Sequence, residues 1–408
     1  MNKIEIKNAK VYEDGHFTLK DVVIPTQGDS VSIDGTGKYL LPGFVDLHVH
    51  FRQPGFEQKE TIKTGSLAAA AGGYTTVCTM PNLKPVPDSV EHINIQLEAI
   101  KKDALVRTLP FASITMEEKG EKLSDIEGLA PLAVGFSDDG RGVQSEEMML
   151  SAMKKIRDAG SFISAHCEDN ELVKGGAMHQ GERAKELGVP GICSESEWKP
   201  VKRDIALATT NNVKYHICHI SAKESLEAVR QAKAQGFNNI SCEVTPHQIN
   251  LCDEDITENI GRFKMNPPLR TKEDRQAIID AIKDGTIDCI ATDHAPHTKE
   301  EKQGDFTHTL FGIVGLETAF SVCYTTLVKS GIISMEDLVK LMSLRPAEII
   351  GLKPEETAKD WALVDTEALV TVNPEEFKTK GRSTPFEGMT FSGKVVATIA
   401  QGNLVYHS

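Results

Sequence analysis

The sequence predicts an α/β protein: a closed (β/α)8 TIM barrel with a small β-sandwich domain formed by the N- and C-terminal segments. Three observations predict this: eight short apolar, β-branched runs, amphipathic helical segments between them, and flanks that alternate in period two. The expected boundaries are 1–44 with 360–408 for the β domain and 45–359 for the barrel.

In chain order the runs are "GFVDLHVHF", "YTTVCTMPN", "LVRTLPFAS", "LAVGFSDD", "SFISAHCED", "VKYHICHIS", "NISCEVTPH" and "IDCIATDHAPH". Segments such as "ETIKTGSLAAAAGG", "SEEMMLSAMKKIRDAG", "SAKESLEAVRQAKAQG" and "KEDRQAIIDAIKDG" lie between them, with apolar residues three and four apart and a closing glycine. Strict alternation of strand and helix implies a parallel sheet, and eight units over about 250 residues imply closure into a barrel. An open doubly wound sheet is the competitor, but no G-x-G-x-x-G follows the first run. The flanks "KIEIKNAKVY" and "DVVIPTQGDSVSIDG", and the tail "WALVDTEALVTV" with "SGKVVATIAQGNLVYHS", read as strands. Neither flank can bury a face alone, so the economical arrangement pairs them.

Composition narrows the function. Hydrophobic residues make up 40% and charged residues 25% of the 408, a globular balance. No apolar stretch approaches the roughly 18 residues of a membrane span. The start "MNKIEIKNAKVYEDG" lacks the apolar core of a signal peptide, so a cytoplasmic location is expected. A net charge of −14 argues against a nucleic-acid partner and says little about a small-molecule substrate, since a local cationic pocket can exist on an acidic protein. The eight cysteines form no C-x-x-C pair and read as buried free thiols of a reducing compartment.

Parallel barrels gather their chemistry at the C-terminal ends of the strands. The runs end in His48 and His50, Asn82, Asp138 and Asp139, His166 and Glu168, His216 and His219, His247, and Asp293 with His294 and His297. Taken singly, each has an ordinary reading as a structural histidine, a turn or a cap. Together they do not, because four histidines and two aspartates on one rim are costly to bury unpaired. Imidazole and carboxylate are zinc ligands, and six donors exceed what one tetrahedral ion needs. A two-metal centre sharing a carboxylate fits that count. It would acidify a water and polarise a carbonyl, while a neighbouring carboxylate passes the proton to a leaving nitrogen. The chemistry implied is hydrolysis of an amide-like bond, or its reversal.

The motifs "DLHVHFRQPG", "TMPN", "FSDDG", "AHCED", "CHIS", "CEVTPH", "MNPPLR", "ATDHAPHT" and "FGIVGLETA", in this order over about residues 41–350, resemble the bacterial class I dihydroorotases of the amidohydrolase superfamily. The resemblance implies reversible interconversion of N-carbamoyl-L-aspartate and L-dihydroorotate in pyrimidine (UMP) biosynthesis. It makes His48, His50 and Asp293 ligands of one zinc, His166 and His219 ligands of a second, and Asp139 the bridge, favoured over Asp138; His219 is likewise favoured over His216. Asp293 would also be the catalytic proton carrier. Arg52, Asn82 and His297 would grip the substrate carboxylate, with His50 also touching substrate. Asn266 and the backbone of Phe311 and Gly312 would read the ring amides, while His247 and His294 would be structural. A homodimer is expected by the same resemblance, as is association with other enzymes of pyrimidine synthesis.

Three features depart from relatives or stand apart. Many amidohydrolases bridge their metals with a carboxylated lysine on strand four, and "LAVGFSDD" has none, which speaks against a hydantoinase or allantoinase. An inactive scaffold subunit would be expected to lose metal ligands, and none of the six is missing. Residues 191–204 are unusually charged and read as a local loop or partner surface. Residues 299–309 read as a covering loop or a plain surface loop.

Overall fold

The computed structural model describes residues 2–408. The barrel wall is formed by Phe44–Val49, Tyr74–Thr79, Arg107–Pro110 continued by Ala112–Ser113, Phe136–Ser137, Ile163–Ala165, Tyr215–Ile217, Ile240–Val244 and Cys289–Ile290. Each strand lies inside the run expected to carry it, and neighbours pair in parallel. Covered on both faces, such strands carry continuous apolar runs; every residue of the first two is buried. The third breaks at Phe111, pairing with strand two before the break and with strand four after it. The seam between strands eight and one has a single bridge, Val49 to His294. The Asp46 carboxylate reinforces it by accepting from the Thr292 backbone N–H at 3.1 Å and the Thr292 hydroxyl at 2.6 Å.

The expected helical segments form Ile62–Ala71, Glu146–Asp158, Lys223–Ala234 and Lys272–Lys283. Thr61, Ser145 and Thr271 cap three of them, each side chain accepting a first-turn N–H that the helix leaves unpaired. Their apolar faces, such as Met149, Met153 and Ile156, pack in the main core around the barrel. The charged stretch 191–204 contains the short strand Gly191–Ile192 and opens helix Glu195–Asn211. Glu197 turns inward, accepting from the N–H groups of Ser221 (3.0 Å) and Ala222 (2.9 Å) and facing Arg270 at 3.5 Å. That charge is therefore an internal tie between two crossovers.

Both chain ends share one seven-stranded sheet, in the order Asn403–His407, Thr390–Ala400, Trp361–Thr371, Tyr39–Pro42, Lys3–Glu13, His16–Pro25. Val31–Asp34 also pairs with Lys3–Glu13, so the sheet forks there, next to a register shift between Ile6 and Ala9. Ile4, Ile6, Val11, Leu40, Leu363 and Ile399 make its own apolar core. Between Thr371 and Thr390 the chain leaves the sheet and returns to the barrel, where Thr379 is buried against Glu60 and His294. No helix among the described residues is long and apolar enough to cross a membrane. The eight cysteines are free, and all but the half-buried Cys193 are buried.

Candidate active site

Six strand-end residues, His48, His50, Asp139, His166, His219 and Asp293, meet in one buried cluster. Asp139 stands at the centre: its Oδ1 lies 3.2 Å from His48 Nε2, 3.7 Å from His166 Nδ1 and 3.8 Å from His219 Nε2, while its Oδ2 lies 3.4 Å from His50 Nε2. Asp293 Oδ1 is 3.1 Å from His50 Nε2 and 3.5 Å from His48 Nε2. His48, His50 and Asp139 form one group with metal-ligand spacing, and Asp139, His166 and His219 form another. Asp139 belongs to both.

The donor set fits a cation. His48 Nε2 and Asp139 Oδ1 are buried, face each other and make no hydrogen bond. Buried polar atoms left this way are costly unless something else occupies them. Burial alone would raise the Asp139 carboxyl, but the His48 and His219 imidazoles hold it well below the usual range. Asp293 is likewise held at about 2, burial being outweighed by His48 and His50. Both carboxylates are therefore charged and available as ligands.

Around the cluster each ring is oriented by an outer partner. His48 Nδ1 donates to Glu243 Oε1 (2.9 Å), turning Nε2 toward the centre; Glu243 Oε2 holds His216 Nε2 at 3.0 Å. His216 therefore lies outside the cluster, as does Asp138, whose Oδ1 accepts from the N–H groups of Ile114 (2.8 Å) and Thr115 (3.0 Å). His247 bonds Thr245 at 2.9 Å, and His294 packs against Gly315 and Thr379. Glu243 and Asp46 are the partners that reading the rim alone missed. Their signal was a carboxylate inside an otherwise apolar strand, a placement that needs a dedicated partner.

A cavity of about 260 Å³ opens over this cluster, lined by His50, Arg52, Asn82, Asp139, His166, His219, Asn266, Asp293, His297, Phe311 and Gly312 among others. His48 is fully buried behind it. The Arg52 guanidinium is fixed by Nε to Pro296 O (3.3 Å) and Nη1 to Asn82 Oδ1 (3.5 Å). Burial lowers it to about 10, so it stays cationic at neutral pH. His297 is pushed down to about 3 by burial and by the Arg52 and Lys59 charges, so it is neutral and donates Nε2–H to Phe311 O at 2.7 Å. Asn266 Nδ2 donates to Glu168 Oε1 at 2.7 Å. The Gly312 N–H donates to Lys264 O at 3.0 Å. Gly312 itself is required: at φ +130 its Cβ would sit 2.7 Å from Ala295 O.

Three site residues, Arg52 (φ +54), His219 (φ +31) and Asp293 (φ +49), adopt the left-handed backbone region. Non-glycine residues persist there only where surrounding contacts hold them, a feature concentrated at functional sites.

The barrel and its rim cluster define the chain as an amidohydrolase-like (β/α)8 protein with a metal-binding centre. Its fold is that of an L-hydantoinase (dihydropyrimidinase) from Arthrobacter aurescens, matched with a TM-score of 0.88 at 23% identity over 100% of this chain and 96% of that one. A family model described as dihydro-orotase-like matches residues 37–225. A Fusobacterium nucleatum protein named dihydroorotase is 50% identical over 98% of both chains, and one from Bacillus subtilis is 49% identical over 92% of this chain and 88% of its own. The chain belongs to the dihydroorotase family.

Proposed function

We propose that the protein is a zinc-dependent dihydroorotase that interconverts N-carbamoyl-L-aspartate and L-dihydroorotate in the cytoplasm, within pyrimidine biosynthesis. The observation that carries this reading is the Asp139-centred ligand cluster sharing one cavity with the Arg52 guanidinium. A metal centre alone marks amide chemistry; a fixed guanidinium beside it suits a substrate carrying a carboxylate, whose two oxygens match its planar fork.

In this reading His48, His50 and Asp293 would hold one zinc and His166 and His219 a second, with Asp139 available to both groups. The bound metals would acidify a water and polarise the scissile carbonyl. In the hydrolytic direction Asp293 takes a proton from the attacking water and delivers it to the ring nitrogen as the C–N bond breaks; cyclisation runs the same transfer backwards. Arg52 and the Asn82 amide hold the carboxylate, and His297, whose single N–H goes to Phe311 O, lies beside them. His50 borders the substrate, while Asn266 and the remaining lone pair of Phe311 O face its ring amides. Their placement around one cavity supports these roles. The homodimer, and association with other enzymes of the same synthesis, rest on the family resemblance alone.

The test is an assay of purified protein with carbamoyl aspartate and with dihydroorotate, run beside elemental analysis. The expected result is turnover of both, with two zinc ions per chain. Turnover of hydantoin or allantoin with none of carbamoyl aspartate would assign another cyclic amidase. Absence of zinc, with no activity after zinc addition, would assign an inactive scaffold subunit.

A further inference from the structure

Residues 378–380 belong to the C-terminal segment and do not line the cavity, yet two buried or half-buried carboxylates tie them to the barrel. On one side the Glu317 carboxylate accepts from the N–H groups of Lys378 (2.8 Å) and Thr379 (3.1 Å). On the other, Glu60, wholly buried, accepts from the Thr379 and Thr64 hydroxyls and from the Lys380 N–H at 3.4 Å. The buried ring of His294 faces this Glu60–Thr379 pair. Its Nδ1 accepts from the N–H groups of Gly315 (3.2 Å) and Leu316 (3.4 Å), which places the ring proton on Nε2. That proton faces Thr379 Oγ1 at 3.3 Å and Glu60 Oε2 at 3.5 Å.

The neighbours of His294 give this clamp its consequence. Asp293 precedes it and holds a left-handed backbone at φ +49, a conformation that relaxes unless adjacent contacts fix it. The His294 carbonyl accepts the His50 N–H at 2.8 Å. One residue thus anchors the backbone of both Asp293 and His50, whose side chains meet at 3.1 Å.

We infer that Thr379, acting with Glu60 through the His294 ring, is a positioning residue for Asp293 and His50. The C-terminal segment is then a working part of the active site rather than only a cover for the barrel. The inference rests on the dihydroorotase reading for its catalytic consequence, but its structural half does not.

Thr379→Val removes the hydroxyl at nearly constant volume, and Thr379→Ser keeps it. For Thr379→Val, kcat should fall about tenfold, the equivalent of one hydrogen bond to a charged group. KM should stay within about twofold and zinc per chain should be unchanged, a split expected when ground-state binding is intact. Amide hydrogen exchange should quicken in peptides covering residues 48–52 and 293–297. Thr379→Ser should restore both kcat and protection. Glu60→Gln serves as a second variant with the same expected direction if Thr379→Val folds poorly. Wild-type kcat and wild-type exchange in the variants would overturn the inference, and so would a kcat loss fully matched by lost zinc. Wild-type protein without turnover would refute the dihydroorotase reading instead, and the exchange comparison, which needs no turnover, would still decide the positioning role.

Discussion

The ligand cluster stands on strand ends braced by buried carboxylates, whereas the substrate wall is a loop braced by buried amines. On the cluster side, Glu243 holds His48 and His216 and accepts from the His219 N–H at 3.3 Å, while Asp46 holds the His48 N–H at 3.0 Å. On the wall side, Lys264 Nζ donates to the carbonyls of Phe306 and Thr309 and lies 4.4 Å from the Phe311 ring centre. Lys302 Nζ donates to Lys264 O (3.0 Å) and Leu310 O (2.7 Å). Each brace suits what it grips, because a carboxylate accepts from ring and backbone N–H groups and an ammonium donates to carbonyls. Each also sets a local field. Glu243, held charged against its burial by His216 and His48, adds negative charge behind the site that would take cations, and Lys264 adds positive charge behind the wall that would face an anion.

That contrast can be broken most sharply at the cluster. Asp293→Asn keeps the shape and removes the proton carrier, so turnover should fall by about 10²–10⁴-fold with the fold intact by circular dichroism. A near-normal rate would remove Asp293 from the chemistry. Next in size is Glu243→Gln, which offers an amide where His216 Nε2 meets a carboxylate and weakens the orientation of His48. Zinc affinity measured against a competing chelator should drop about 10–100-fold, the usual effect of losing an outer partner of a metal-binding histidine. Unchanged affinity would show that the carboxylate brace is dispensable.

How much of this was legible in the sequence follows from the same contrast. The strands were, because double burial forces long β-branched runs, and even "LVRTLPFAS" marks a strand that only breaks at Phe111. The gathering of histidines and aspartates on one rim was legible from the run ends, although Asp138, His216, His247 and His294 among them bond elsewhere. Choosing Asp139 over Asp138, or His219 over His216, needed motif knowledge, since pattern alone gives adjacent residues equal standing. The braces were not read. Glu243 and Asp46 sit inside apolar runs and could have been flagged, but Lys264 and Lys302 look like ordinary loop charges. The pairing of Glu60 with Thr379 spans 319 positions, and nothing in either local stretch announces it. Nor does spacing reveal the left-handed backbone at Arg52, His219 and Asp293, which depends on contacts made after folding.

The wall gives the smaller effects. Arg52→Ala should raise KM for carbamoyl aspartate about 10–100-fold, the range for losing charge-assisted hydrogen bonds, while zinc content stays the same. Loss of zinc in that variant would instead place Arg52 among the supports of the cluster.

Lys302 should have the mildest effect and the clearest pH signature. Burial, with repulsion from Lys264, pushes its amine down to about 7, whereas an exposed lysine titrates near about 10.4. Between these values an opened loop binds a proton that the packed loop does not, so packing must strengthen as pH rises from about 7 towards 10. Proteolytic cleavage within residues 298–310, normalised to a free peptide of the same sequence, should therefore slow over that range. In Lys302→Met the slope should vanish and KM should rise only a few fold, since the carbonyls of Lys264 and Leu310 lose a donor but the cluster is untouched. An unchanged slope in Lys302→Met would assign the pH dependence to another group and leave the amine brace a passive contact.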